Sequence, residues 1–489
     1  MKLRKTTAFV TSLSFIAAVS LSACGHDPLT DDAMEEVIVP DAPEITTEAE
    51  PTEAPTSSTE PVTEKDEPAE GDTFTIVGWN PEDAPILIAN WLGIDADDFI
   101  ESEKPYRSPA GADIRFVCFN TGGYDAPDYY DRMFSSGDDI DVYLCEPDWA
   151  LRFLNDDSRS LPLSRLDVTA GDIADMYPYT VEQCRDINGV LKALAWDASP
   201  GCFMYRTDLA EKYLGVKTPD EMQSLVSDWG HFADTAERVS KESEKKTALA
   251  DSLNGMWNAY SCGRSAPYVS GGTLELSDEI KDFADMAKKL WDCGGVTHNG
   301  QWTDDWYTAG TDGSCMGYFV PSWGFEERSF AMGISSGNMS GKWAVCNGPQ
   351  AYYWGGTMLA VNPESDNMTD SRDLIRASVF DTGNLRKYAS QASYLPNNMS
   401  LVEELTTECF TFSNEVSSNI SGQIYYANLD SNARAIDLSG KITEYDADIN
   451  VAVINAIENI YLRDGADWNE TMGFIKDDLS SACPGLDIR

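Results

Sequence analysis

Side chains suited to covalent chemistry are scarce in this chain. Its 489 residues include three histidines, His26, His231 and His298. Gly333-Ile334-Ser335-Ser336-Gly337 fits the G-x-S-x-G pattern of a nucleophile elbow, but enzymes of that type order the triad as serine, acid, histidine along the chain. Here every histidine precedes Ser335, no strand leads into the motif, and it reads as a surface turn. An H-E-x-x-H zinc site is absent. Gly341-Lys342 lacks the hydroxyl residue and upstream glycine of a phosphate-binding loop, and no G-x-G-x-x-G follows a strand. The eleven cysteines contain no C-x-x-C, so they form no zinc framework, and in a chain this long they are expected as buried free thiols. The 82 carboxylates could supply a glycosidase pair, but the separation of about 5 to 10 Å that such a pair needs is a tertiary property. The residue types therefore leave a glycosidase pair open, while no cofactor or metal is expected. Non-covalent recognition remains, and for that thirteen tryptophans beside abundant carboxylates and amides are suitable.

Those residues must be held by regular elements. From residue 73, short β-rich runs alternate with helix-length segments: "TFTIVGW" as a strand, a helix from "PEDAPILIANWLG", "ADIRFVCFN" as a strand with Ile114, Phe116 and Cys118 on one face, "APDYYDRMFSSG" as a helix and "DIDVYLCEP" as a third strand. Alternation of this kind predicts the α/β class with parallel strands and right-handed crossovers. Ligands of such sheets gather beyond the carboxyl ends of the strands. The residues there are Trp79 and Asn80, then Asn120 and Thr121, then Glu146, Asp148 and Trp149. Further on, Thr218, Pro219 and Glu221 open a helix with a capping box, and the apolar spacing from Met222 to Val239 predicts one continuous helix with Trp229 in its buried stripe. A second helix is expected between Ser277 as N-cap and Gly294 at the C-terminal end. Strands return at "GKWAVCNGP" and "YWGGTMLAVNP".

The N-terminal region is of another kind. Lys2, Arg4 and Lys5 precede an apolar run from Ala8 to Leu21, too short to span a bilayer and suited to a secretory signal. Leu21-Ser22-Ala23-Cys24 resembles a bacterial lipobox, in which Cys24 becomes a lipidated mature N-terminus. Residues 25–72 hold sixteen acidic residues against Lys65 alone, with repeated Pro, Thr and Ser, and such a composition cannot bury enough apolar surface to fold. It is expected to be an extended linker. The formal net charge is −47; without the +3 of residues 1–23 and the −15 of residues 24–72, residues 73–489 carry −35. That sign disfavours nucleic acid and anionic membrane surfaces as partners.

Several stretches together resemble the extracellular solute-binding proteins of carbohydrate ABC importers, the group that includes maltose-binding protein. They are "DIDVYLCEPDWALRFLNDDSRSLPL", "DINGVLKALAWDASPGCFMYRTDLAEKYLG", "GSCMGYFVPSWGFEE" and "WGGTMLAVNPESDN", in the family's order. The resemblance spans most of residues 72–410 and implies a class II, two-lobe periplasmic-binding-protein-like fold, each lobe a sheet flanked by helices, joined by a hinge of crossing strands. The first lobe would take 73–194 and 356–395, the second 195–355 and 396–489. It places Asp148 and Trp149 where relatives contact sugar hydroxyls, Trp323 at an aromatic platform, and Trp196 and Asp197 facing the cleft. With Trp79, Asn80, Asn120, Glu146 and Trp354 these make the expected ligand-binding set. The implied function is capture of a mono- or oligosaccharide and its delivery to the transmembrane subunits of an ABC permease. The protein would be a monomer anchored through Cys24 on the extracellular face of a membrane, in a Gram-positive bacterium, with no reaction catalysed. A surface glycoside hydrolase and a non-catalytic glycan adhesin are the alternatives. The part after Thr406 matches no motif of the family.

Overall fold

A computed structural model describes residues 71–488 apart from positions 80, 82, 101, 103–104, 120–124, 326–340, 393, 409–419 and 421–422. Cys24, Asn80, Asn120 and the Ser335 motif therefore lie outside the described residues. Among the described residues the chain builds two larger sheets and two two-stranded pairs. The first has five strands in the order β2-β1-β3-β12-β4: β1 (Thr73–Gly78), β2 (Asp113–Cys118), β3 (Val142–Cys145), β4 (Ala193–Ala195) and β12 (Met358–Val361). β1 is parallel to β2 and β3, as the alternating pattern predicts, and β12 inserts antiparallel between β3 and β4. β1, β3, β4 and β12 are buried almost end to end, which explains the unbroken apolar runs of β3, β4 and β12.

The second sheet has the order β11-β6-β10-β7, from β6 (Gly201–Arg206), β7 (Ala248–Ala250), β10 (Cys315–Pro321) and β11 (Trp343–Cys346). Between β4 and β6 the chain forms β5 (Asp197–Ala198), which pairs antiparallel with β13 (Leu395–Pro396). A small hairpin, β8 (Val269–Ser270) with β9 (Thr273–Leu274), completes the strands among the described residues. Asn397 staples the β5–β13 crossing. Wholly buried, it receives the Tyr177 N–H at 3.1 Å and donates to the Ala195 carbonyl at 2.8 Å.

One expected helix is two. The capping box at Thr218 and Glu221 forms, but its helix stops at Leu225 and a second runs Trp229–Glu242. The cause is Asp228, whose carboxylate accepts the His231 N–H at 2.9 Å; an aspartate satisfies orphan N–H groups at a helix start better than it serves a helix interior. Trp229 thus begins a helix and is only partly buried, against Phe232, Tyr260 and Phe319. Gly294 caps its helix in the left-handed region at φ 80°. All nine described cysteines are free thiols, seven of them buried. Among the described residues no helix is long and apolar enough to cross a membrane.

Candidate functional site

Two segments, 196–200 and 347–357, cross between the sheets, and the turn after β10 packs against the first of them. The Trp354 N–H donates to the Ser199 carbonyl at 3.0 Å, the Gly201 N–H to the Tyr352 carbonyl at 2.8 Å, and the Ser322 N–H to the Pro200 carbonyl at 2.9 Å. Gly201 is obligatory here, because a Cβ would sit 1.9 Å from the Tyr352 ring. Trp323 and Trp354 rise from this crossing, and Trp302 reaches them from the loop after the helix Asp278–Cys293. The three indoles form a triangle with centroid separations of 6.1 Å (302 to 323), 5.8 Å (323 to 354) and 6.1 Å (302 to 354). Each ring is half-buried. The Trp323 indole N–H donates to the Trp354 carbonyl at 2.7 Å, which fixes its orientation.

Trp302 is held at φ 68°, a backbone region that a bulky residue enters only when its surroundings compensate. Compensation comes from behind. Trp306 is wholly buried, lies 5.3 Å from Trp302 and donates its indole N–H to Asp251 at 2.9 Å. Burial pushes Asp251 up to about 6, against hydrogen bonds from Ser252, Trp306 and the Phe319 amide that hold it down.

A carboxylate borders the triangle, and two more lie near Tyr353. β3 ends at Cys145, Glu146 takes the N-cap position, and Pro147 starts the helix Pro147–Leu154 with Asp148 in its first turn. A Cβ on Gly355 would lie 3.2 Å from Glu146 Oε1 and 3.4 Å from Trp323 Nε1, so acid and indole meet over that glycine, itself at φ 65°. Asp148 is raised to about 6, by burial first and then by the Asp446 carboxylate. Asp446 pairs with Arg264, which donates to the carbonyls of Ser261 at 3.2 Å and Lys441 at 2.9 Å and lies 4.6 Å over the Tyr268 ring. Tyr353 stacks on Tyr179 at 6.1 Å, and Asp148 adds to the burial that raises its hydroxyl.

Glu146, Asp148, Trp323 and Trp354 of the expected set thus gather in one region. Asp197 adjoins it, 2 % exposed, accepting the Ser199 hydroxyl at 2.6 Å. Trp196, expected to face the cleft, is instead wholly buried with its ring edge-on to Tyr388, because neighbouring residues of an extended segment point to opposite sides. Trp79 and Trp149 come together at 5.6 Å, edge to face, but each is only 7 % exposed, and Trp149 packs on Tyr130 and Phe153. Trp302, Tyr353, Arg264 and Asp446 were not anticipated. The one signal in the sequence was Trp302's place in a Gly- and Asn-bearing loop, "HNGQWT". The two described histidines are engaged elsewhere, His231 with Asp228 and His298 stacked on Trp291.

The comparisons with known proteins agree with this architecture. No curated protein sequence matches the chain. Among solved structures, an extracellular solute-binding protein family 1 crystal structure superimposes with a TM-score of 0.69 at 17% identity, covering 85% of this chain and 100% of that one. The galacto-N-biose-/lacto-N-biose I-binding protein of the ABC transporter from Bifidobacterium longum gives 0.63 at 16% identity, covering 87% and 100%. The sugar-binding protein MalE from Xanthomonas citri gives 0.62 at 15% identity, covering 84% and 98%. At these identities the likeness concerns the fold, which is that of two-lobe binding proteins. The family model described as bacterial extracellular solute-binding protein matches residues 109–413, and this chain belongs to that family.

Proposed function

We propose that the chain is the substrate-binding lipoprotein of an ABC importer and captures a mono- or oligosaccharide between two lobes. The observation that carries this is the triangle of half-buried indoles, Trp302, Trp323 and Trp354, bordered by Glu146, with Asp148 two residues on and close enough to act on Tyr353. Pyranose C–H faces pack on indole rings, while hydroxyls need carboxylate and backbone partners. The Bifidobacterium longum neighbour was solved with lacto-N-biose, and that ligand chemistry suits the same residue types here. In this reading Trp323 and Trp354 are platforms, Glu146 and Asp148 take hydroxyls, and Trp79 and Trp149 back the first-lobe wall. The lobes are 73–194 with 356–395 and 195–355 with 396–489, and the β5–β13 pair is the hinge about which they close. Cys24 carries the lipid anchor, the acidic segment after it spaces the body from the membrane, and permease subunits receive the sugar.

A thermal-shift screen over a glycan panel tests the ligand class. A cognate sugar at 100 times its dissociation constant adds about 2.7 kcal/mol of stability. A panel of mono- and oligosaccharides that leaves the melting curve unmoved, while amino acids or peptides shift it, would replace carbohydrate with another solute. For the anchor, Cys24→Ala should abolish lipid-bearing N-terminal peptides in mass spectra, and a lipid-free mature N-terminus elsewhere in the wild type would refute it.

A further inference from the structure

Beside the second sheet lies a recess of about 160 Å3 that shares no lining residue with the indole triangle. It opens among the first turn of the helix Trp229–Glu242, the helix Leu253–Cys262 and the first turn of the helix Asp278–Cys293. Gln350, from the crossing that also carries Trp354, closes one side. That side is tightly packed: a Cβ on Gly263 would lie 2.6 Å from the Gln350 carboxamide carbon. Ser277, Glu279 and Gln350 are only partly buried, so water reaches the recess along them.

Aromatic rings make its walls. Tyr260 stands 5.4 Å from Trp229 and nearly parallel to Trp257 at 6.2 Å, and Tyr268 joins them. Trp229 and Tyr260 keep part of their surface uncovered. The two charged side chains of the lining have opposite signs, and both are engaged. Arg264 pairs with Asp446, and the Glu279 carboxylate accepts the Ser265 N–H and the Ser277 hydroxyl, each at 3.2 Å. Two donors of the lining residues are left over. Trp257 is 2 % and Arg264 7 % exposed, yet the Trp257 indole N–H and the Arg264 Nε–H find no acceptor among the described residues. Native interiors rarely keep such donors unless a water or a ligand supplies the oxygen.

We propose that this recess is a second binding site, separate from the cleft, for one uncharged pyranose ring. Its volume suits a single six-membered ring, since a cavity of about 150 Å3 accepts benzene. Pyranose C–H faces pack on the indole and phenol rings. Hydroxyls both accept and donate, so they answer the Trp257 and Arg264 donors and reach the remaining lone pairs of Glu279. A purely apolar ring would leave those donors unanswered, and an ion would be desolvated against a lining whose charges already cancel. The site stands whatever solute the cleft holds.

Fluorine NMR of the mature chain labelled with 5-fluorotryptophan tests it, with one signal for each of the thirteen tryptophans and the two in question assigned through Trp229→Phe and Trp257→Phe. The probes are methyl β-D-glucopyranoside and methyl β-D-galactopyranoside. At least one should shift both signals saturably with a Kd of about 1 mM, the strength that a single ring commands. Glu279→Gln and Tyr260→Ala should each weaken that titration about tenfold or more, the first with an unchanged melting temperature. Trp323→Ala should leave it intact, so failure of the cleft as a sugar site and failure of this one give different spectra. Signals unmoved by both probes at about 50 mM, some fifty times the expected Kd, would overturn the site. So would a shift lost in Trp323→Ala, which would place the sugar in the cleft, a shift that survives both recess variants, or an equal shift from cyclohexanol, which would make the recess a site for any apolar ring.

Discussion

Two groupings of tryptophan differ in one respect, the covering of their rings. Trp302, Trp323 and Trp354 stand on a loop, a short turn and a crossing segment that meet beside the sheets, and each is only partly buried. Trp79, Trp149 and Trp196 sit at strand ends or in a helix packed on the first sheet; Trp79 and Trp149 meet edge to face, Phe153 and Tyr388 lie edge-on to Trp149 and Trp196, and Tyr130 is tilted against Trp149. A ring covered on both faces contributes its area to folding. A ring with one face open keeps that area for a partner. Residue type is the same in both groups, so the division of labour follows from the backbone that carries them.

The largest expected effect falls on the covered group. Trp196→Ala should cost about 3 to 5 kcal/mol of folding free energy, read by urea denaturation, with normal sugar affinity in the fraction that folds. A cost below about 1 kcal/mol would dissolve the distinction. Trp323→Ala should do the reverse, weakening sugar binding by about 2 to 3 kcal/mol, or roughly 30- to 150-fold, while the melting curve moves little. Calorimetry giving full affinity beside a collapsed melting temperature would return Trp323 to the core.

A smaller effect comes from the carboxylates between the groups. Asp148 stands at about 6, above its ordinary 3.8, so the folded state holds a proton that the unfolded chain has released. Its contribution is greatest below about pH 4, falls as pH rises to about 6, and is flat above. Wild-type stability should therefore drop between pH 4 and 7 by up to about 2 kcal/mol more than that of Asp148→Asn. Parallel pH profiles would show that Asp446 and burial do not press on Asp148. The smallest effect is expected from Gly355→Ala. At φ 65°, with its new Cβ 3.2 Å from Glu146, it should lose about 1 kcal/mol of stability and some sugar affinity, and an unchanged binding isotherm would move the Glu146–Trp323 contact out of the site.

The first sheet was legible because β1, β2 and β3 are short β-rich runs separated by helix-length segments, a local pattern. Glu146 and Asp148 were legible for the same reason, as strand end and helix start. The same periodicity could not separate Trp196 from Asp197. Both are buried, and alternation reports on sides only where one side meets water. The break at Asp228 was hidden because helical apolar spacing continues across it, although a capping aspartate competes with helix continuation. Trp302 escaped because its ring packs on Trp306, which Asp251, distant in the chain, holds in place.

Composition and spacing alone determined the stock of side chains, few histidines, many carboxylates and many indoles, and most of the strands and helices that carry them. Which indoles are open, which carboxylates press on each other, and where Arg264 meets Asp446 were decided by tertiary structure. Burial and charge coupling are sums over neighbours distant in the chain, and no local pattern of residues contains that sum.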